Sequence, residues 1–267
     1  MGADIKNLRL RIKSVDSTLH LTNAMGLVAS SKIKKATSGM TKSAEYKQAF
    51  RDSVQALISS AECARSPYMQ KRGTDKLCLI VVAGDRGLAG GYNANIFRFM
   101  KDYSPNRIIP IGKRACDRYK QKLITAEDFG TEQAKELSVE ILKGFSDGEF
   151  DKVGIVYTKY ISIMSQVPCI SWVLPLEPAE QRKQKSVIFE PDEETVLSGV
   201  IGEYIAAIIM AAVRESYASE VAARRFAMDS AGKNAQAMLD DLSVKYNRAR
   251  QGAITQEITE IVAGSDA

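Results

Sequence analysis

IKNLRLRIKSVDSTLHLTNAMGLVASSKIKKATSGM, residues 5–40, carries the most informative pattern in the chain. Alternate steps of three and four residues pick out Ile5, Leu8, Ile12, Val15, Leu19, Thr22, Gly26, Ala29, Ile33, Ala36 and Met40. None of these positions is charged, although Lys and Arg are frequent between them. An uncharged spacing of 3.5 residues sustained this long is a coiled-coil seam, not merely one amphipathic face. Gly26 and Ala29 are small enough to let a partner helix approach closely. The pattern weakens after Met40 and resumes through Phe50, Val54 and Leu57. The helix is expected to end near Ala64, because the residue before Pro67 is biased out of the helical region.

A partner stripe lies at the other end of the chain. All seven prolines fall between residues 67 and 191, leaving 66 and 76 proline-free residues on either side. Proline inside a helix costs ~3 kcal/mol, so these flanks are where long helices can run. In FEPDEET, Pro191 precedes acidic residues that favour a helix N-terminus through its dipole. Leu197, Ile201, Tyr204, Ile208 and Ala211 follow a 3.5-type stripe whose phase is lost from Arg214 to Arg225. It returns at Met228, Ala231, Ala235, Met238, Leu242, Tyr246, Ala249 and Ala253, and Ile254, Ile258 and Ile261 form a rotated stripe up to a C-cap candidate, Gly264. At 1.5 Å per residue the two helices would measure roughly 85–90 Å and roughly 105 Å. The two stripes can bury each other antiparallel within one chain, leaving a C-terminal tip unpaired. A parallel coil between two copies is the other solution. The expected division is an N-terminal coiled-coil helix (1–66), an α/β domain (67–191) and a C-terminal coiled-coil helix (192–267).

The middle third alternates strand and helix. LCLIVVA, residues 77–83, is a continuous apolar run, as in a strand covered on both faces. Further strands are expected at 107–111, 152–158 and 167–174, and helices in NANIFRFMKDY, RACDRYKQKL and residues 131–145. This order implies βαβ units, a mainly parallel sheet and a Rossmann-like α/β fold. The turn after the first strand, GDRGLAGGYN (84–93), is rich in glycine, as are many phosphate-binding turns. Its spacing fits neither GxGxxG nor a GK[ST] loop. Glycines for a tight turn, with Asn93 as helix N-cap, suffice to explain it.

Composition narrows the chemistry. The chain has 267 residues, 45% apolar, and a formal charge of +5, enough apolar content for a sizeable core. With one histidine, His20, multi-histidine metal sites are excluded. Cys63, Cys78, Cys116 and Cys169 lie 15, 38 and 53 residues apart, which suits buried, reduced thiols better than zinc or a redox pair. The longest uncharged apolar run, Tyr204 to Val213, is half of the ~20 residues a membrane helix needs, and no secretory signal is visible at the start. No serine lies in a GxSxG elbow, and neither Asp240 and Asp241 nor Asp192, Glu193 and Glu194 converge as a cation site would require. Residues 1–60 hold ten Lys/Arg against four Asp/Glu, without the aromatic interleaving expected of a nucleic-acid binder. Two functions fit these residues: a Rossmann-like nucleotide-binding enzyme with a coiled-coil oligomerisation handle, and a coiled-coil scaffold without catalysis of its own.

Three separated stretches carry a family likeness: IKNLRLRIKSVDSTLHLTNAMGLVASSKIKKA, DRGLAGGYNANI, and the long tail from ESYASEVAARRFAMDSAGKNAQAML to ARQGAITQEITEIVAG. Together they resemble the gamma subunit of F-type, proton-translocating ATP synthases of bacterial type, over about residues 3–264. The resemblance implies a central-stalk rotor with no cofactor, metal or small-molecule substrate of its own and no nucleic-acid partner. Its terminal helices would form an antiparallel shaft inside the ring of alpha and beta subunits. Its α/β domain would be a foot resting, with the epsilon subunit, on the membrane c-ring at the cytoplasmic face of the cell membrane. Carried over by position, Met25, Lys32 and Lys35 would approach the acidic lever loops of the beta subunits. Arg250, Gln251, Gln256, Thr259 and Glu260 would touch the catalytic head near the upper shaft, and Tyr204 would fall in the contact with the membrane ring.

Overall fold

The computed structural model describes residues 2–60, 62–73, 76–178 and 189–265. The elements are α1 (Gly2–Ile58), β1 (Leu77–Val82), α2 (Tyr92–Phe99), β2 (Arg107–Ile111), α3 (Lys113–Tyr119), α4 (Thr131–Ser146), β3 (Lys152–Tyr160), β4 (Gln166–Leu174) and α5 (Glu193–Ser265). They group into two compact units, residues 1–30 with 224–267, and residues 31–223.

In the first unit α1 and α5 pack antiparallel. A Cβ added to Gly26 would lie 3.7 Å from the Met228 Cβ, and one added to Gly232 would lie 3.1 Å from Asn23 Oδ1 and 3.9 Å from Leu19 Cδ1. One number rises as the other falls. From Asp4 to Ala24 only Ile5, Leu8, Ile12, Val15, Leu19 and Thr22 are not fully exposed, which is the 3.5-residue seam. On α5 the seam runs Met228, Gly232, Ala235, Leu239, Leu242, Tyr246, Ala249 and Ala253. Met238, expected on it, is 45% exposed. The step after Ala235 is four residues, not three, so Leu239 takes the inward place. From 254 to 262 every side chain is exposed. The helix runs through Gly264 to Ser265.

The second unit is a three-layer sandwich. Its sheet has the order β2-β1-β3-β4, with β1 parallel to β2 and to β3, and β4 antiparallel to β3. Every residue from Cys78 to Ala83 is fully buried, and alternation divides them between two cores. Leu79, Val81 and Ala83 face Tyr92, Ile96 and Ala115 on α2 and α3. Cys78, Ile80 and Val82 face a larger core with Leu137, Ile141 and Phe145 of α4, Val54 and Leu57 of α1, and Ile201, Ile205 and Ile209 of α5. Gly112 is obligatory, because φ is +94° and a Cβ there would sit 2.0 Å from the Ala83 carbonyl oxygen. α1 stops at Ile58, six residues before Ala64, and a short 3-10 turn at Cys63–Arg65 tucks Cys63 into the core.

In this unit α5 is buried nearly all round from Tyr204 to Ala223. Ala218 and Val221 pack on Ala36, with Ile33 and Met40 of α1 beside them. Other faces of the helix meet the sheet and α4. A helix wrapped this way needs no single stripe, which is why the heptad phase is lost there. Its apolar content also makes it long and apolar enough to cross a membrane by composition, but 56% of that window is buried inside the protein.

Candidate functional site

Three surfaces concern function: the glycine turn, the polar face of α5, and the exposed stretches of the two long helices. The glycine turn does not present an open phosphate cradle. Glu220 of α5, 2% exposed, accepts the Asp85 N–H at Oε2 and the Arg86 N–H at Oε1, each at 3.3 Å. A Cβ on Gly84 would lie 2.7 Å from the Glu220 carboxyl carbon, so glycine is what lets the carboxylate in. An anion from the protein itself holds the N–H groups that a phosphate would need. The nucleotide-enzyme alternative therefore finds no support in this turn. Asn93 is not the N-cap: α2 begins at Tyr92 with Gly91 as cap, and Asn93 Oδ1 accepts the Gly84 N–H at 2.9 Å.

The polar face of α5 continues the same contact. Ser216 Oγ lies 2.7 Å from the Tyr92 hydroxyl and accepts the Thr158 N–H at 3.3 Å, while Ser219 Oγ donates to the Thr158 carbonyl at 3.0 Å. Glu215 accepts the Tyr160 N–H, and Arg214 donates to the Glu127 and Phe129 carbonyls. Burial raises the Tyr92 phenol, with the Glu220 charge adding to the rise. Nothing in the heptad reading singled these residues out. The one available signal was the loss of phase between Arg214 and Arg225.

Glu127 ties α1 and α5 to the glycine turn. It accepts Lys32 Nζ of α1 at 2.6 Å, Arg86 Nη2 at 3.1 Å and the Tyr217 hydroxyl of α5 at 3.0 Å. Its backbone N–H donates to Asp85 Oδ2 at 2.8 Å. The hydrogen bond from Lys32 is the main cause holding the Glu127 carboxyl below its ordinary 4.5. Burial and the neighbouring Glu127 push the Tyr217 phenol up.

The residues assigned by resemblance fall in different settings. Met25 is half-buried on α1 beside Gly26. Lys32 is engaged by Glu127, and Lys35 is exposed. Arg250, Gln251, Gln256, Thr259 and Glu260 are all exposed on α5, where Gln256 Nε2 donates to Glu260 Oε1 at 2.8 Å and Thr259 Oγ1 to the Thr255 carbonyl. Tyr204 is only 8% exposed and lies in the larger core, so its side chain offers little surface to a partner. Among the described residues no cluster of three or more His, Cys, Asp or Glu could hold a metal ion. His20 is exposed on α1, its Nε2 3.7 Å from Asp16, and all four cysteines are free.

Paired helices, one of them keyed into an α/β fold, with long exposed stretches, define a structural component of a larger assembly. The comparisons with known proteins agree. A family model described as ATP synthase matches residues 4–267. The ATP synthase gamma chain of Ruminococcus albus is 40% identical, with 98% of each chain covered. The sodium-ion-specific gamma chain of Acetobacterium woodii is 34% identical over 100% of this chain and 99% of that one. A chain in the mitochondrial ATP synthase of Euglena gracilis has the same fold, with a TM-score of 0.70, 17% identity, and 100% and 95% of the chains covered. One from the Tetrahymena thermophila central stalk and c-ring gives 0.62 at 19% identity, covering 79% and 99%. The chain belongs to the ATP synthase gamma chain family. As a gamma chain it is one subunit of an ATP synthase.

Proposed function

We propose that this chain couples ion flow through a membrane ring to ATP synthesis or hydrolysis by turning within a head of alpha and beta subunits. The observation that carries the reading is the end-to-end family match, joined to an antiparallel seam that follows the family's helix, α/β domain, helix plan. A pair of helices lacks threefold symmetry, so it meets three equivalent catalytic subunits with three different faces. Each face favours a different conformation, and rotation permutes them. The shift at each site is limited to the shaft's differential contact energy with those conformations.

The exposed residues Lys35, Arg250, Gln251, Gln256, Thr259 and Glu260 are proposed to touch the head, together with Met25 and Lys32. Exposure of α5 from residue 254 to 262 supports this for the tip. The α/β domain, residues 67–191, is proposed as the foot, standing with the epsilon subunit on the membrane ring at the cytoplasmic face. Exposed Ile161, Ile163 and Met164 at the β3–β4 hairpin support a docking role for it, since clustered apolar surface marks interaction sites. Tyr204 would support the ring contact from within the core. The test is Met25→Lys in the reconstituted membrane complex. Less ion pumped per ATP hydrolysed is expected, and unchanged coupling would contradict the Met25 contact.

A further inference from the structure

The polar face of α5 has a purpose that burial of apolar surface does not explain. We propose that this face, keyed by Glu220 in the Gly84 turn, is the joint through which torque passes between the last helix and the α/β domain. The proposal makes Glu220 a positioning residue of the rotor, and it rests on the rotor reading above.

The sheet itself creates the need for such a joint. β1 pairs with β3 only as far as Val81 and Val156, so β3 from Tyr157 to Tyr160 runs on without that neighbour. Backbone groups left there in the interior must find partners. α5 supplies them: Ser216 to the Thr158 N–H, Ser219 to the Thr158 carbonyl, and Glu215 to the Tyr160 N–H. Beyond the end of β1, Glu220 does the same for Asp85 and Arg86. One face of the helix thus takes the place of a missing strand and of a bound anion.

Stability explains that the Thr158 N–H and carbonyl are satisfied, since alanine at 216 and 219 would leave both buried without a partner. It does not explain why the partners come from a helix that continues beyond the domain. Hydrogen bonds differ from apolar contacts in being directional. All five of these end on backbone atoms of a strand or its adjoining turn, where there is no side-chain slack. They fix both the axial position of α5 and its rotation about its own axis. An apolar face would let the helix slide or roll under load. The absent side chain at Gly84 belongs to the same device, since a Cβ there would push the Glu220 carboxyl group out.

The test uses the full chain, alone and in the membrane-reconstituted complex, with Glu220→Gln and, separately, Gly84→Ala. In the isolated chain, amide exchange at Asp85 and Arg86 should quicken roughly tenfold or more, as for a locally released contact. In the complex, ions pumped per ATP hydrolysed should fall several-fold while hydrolysis stays within about twofold. Faster exchange with unchanged pumping per ATP would overturn the proposal and leave the rotor reading intact. A wild-type chain that restores no coupled pumping would instead defeat the rotor reading. Should Glu220→Gln fail to assemble, Ser216→Ala combined with Ser219→Ala should quicken exchange at the Thr158 amide instead, with the same expected loss of pumping per ATP and the same contrary result.

Discussion

Gly84 and Glu127 are the residues whose substitution tests the described contacts most simply. Gly84→Ala places a methyl group 2.7 Å from the Glu220 carboxyl carbon. Overpacking of this kind costs about 1–3 kcal/mol, and a lowered midpoint in urea at unchanged slope would register it. A midpoint equal to that of the wild type would mean that Glu220 is not seated as described. Glu127 adds a dependence on pH. Its folded-state value is depressed, so its stabilising contribution is complete above the ordinary 4.5 and disappears as the pH falls through the lower folded value. Glu127→Gln should therefore cost about 1 kcal/mol at pH 7, a size suited to an ion pair that water still reaches, and progressively less below pH ~4. Denaturant titrations of both proteins at the two pH values measure this, and a difference that does not shrink in acid would contradict it. The cysteines call for no such test: burial pushes the Cys78 thiol up to about 12, as expected of inert core sulfur.

At the scale of elements, the small residues of the seam and the bare tip of α5 make opposite predictions. Ala36 is 6% exposed against Ala218 and Val221, so Ala36→Leu must force the helices apart there, at about 1–3 kcal/mol in thermal or chemical unfolding. Deleting residues beyond Ala253 removes only exposed side chains among those described. That truncation should leave the melting of the α/β domain unchanged while weakening assembly or torque in the complex. A truncated chain whose middle domain no longer folds would refute the prediction. Where the pattern had one cause, the sequence was easy to read. The α1 seam from Ile5 to Met40, the doubly buried β1, and the β2 and α4 positions follow from periodicity alone. Where two causes overlap, it was not. Between Arg214 and Glu220 the needs of α1, the sheet and the glycine turn are superposed on one helix, and no single period survives. Met238 and Leu239 are both apolar neighbours, so only packing decides which points inward. The antiparallel β4 depends on a short reversal after Tyr160, and the socket for Glu220 joins residues 135 positions apart. Neither leaves a local mark.

For the whole molecule, the proposed function separates chemistry from motion. In it the chain contributes an asymmetric pair of helices and a domain that holds one of them in register, and bond making is left to partner subunits. Faces, stiffness and attachment then matter more than any reacting group. The most direct measurement fixes the catalytic head to a surface, attaches a visible probe to this chain, and follows single complexes during ATP hydrolysis. The account predicts that the probe turns in one direction with three pauses per revolution, and that cross-linking the chain to the head stops both rotation and sustained hydrolysis. A probe that stays still while ATP is consumed, or hydrolysis that continues undiminished in the cross-linked complex, would contradict it.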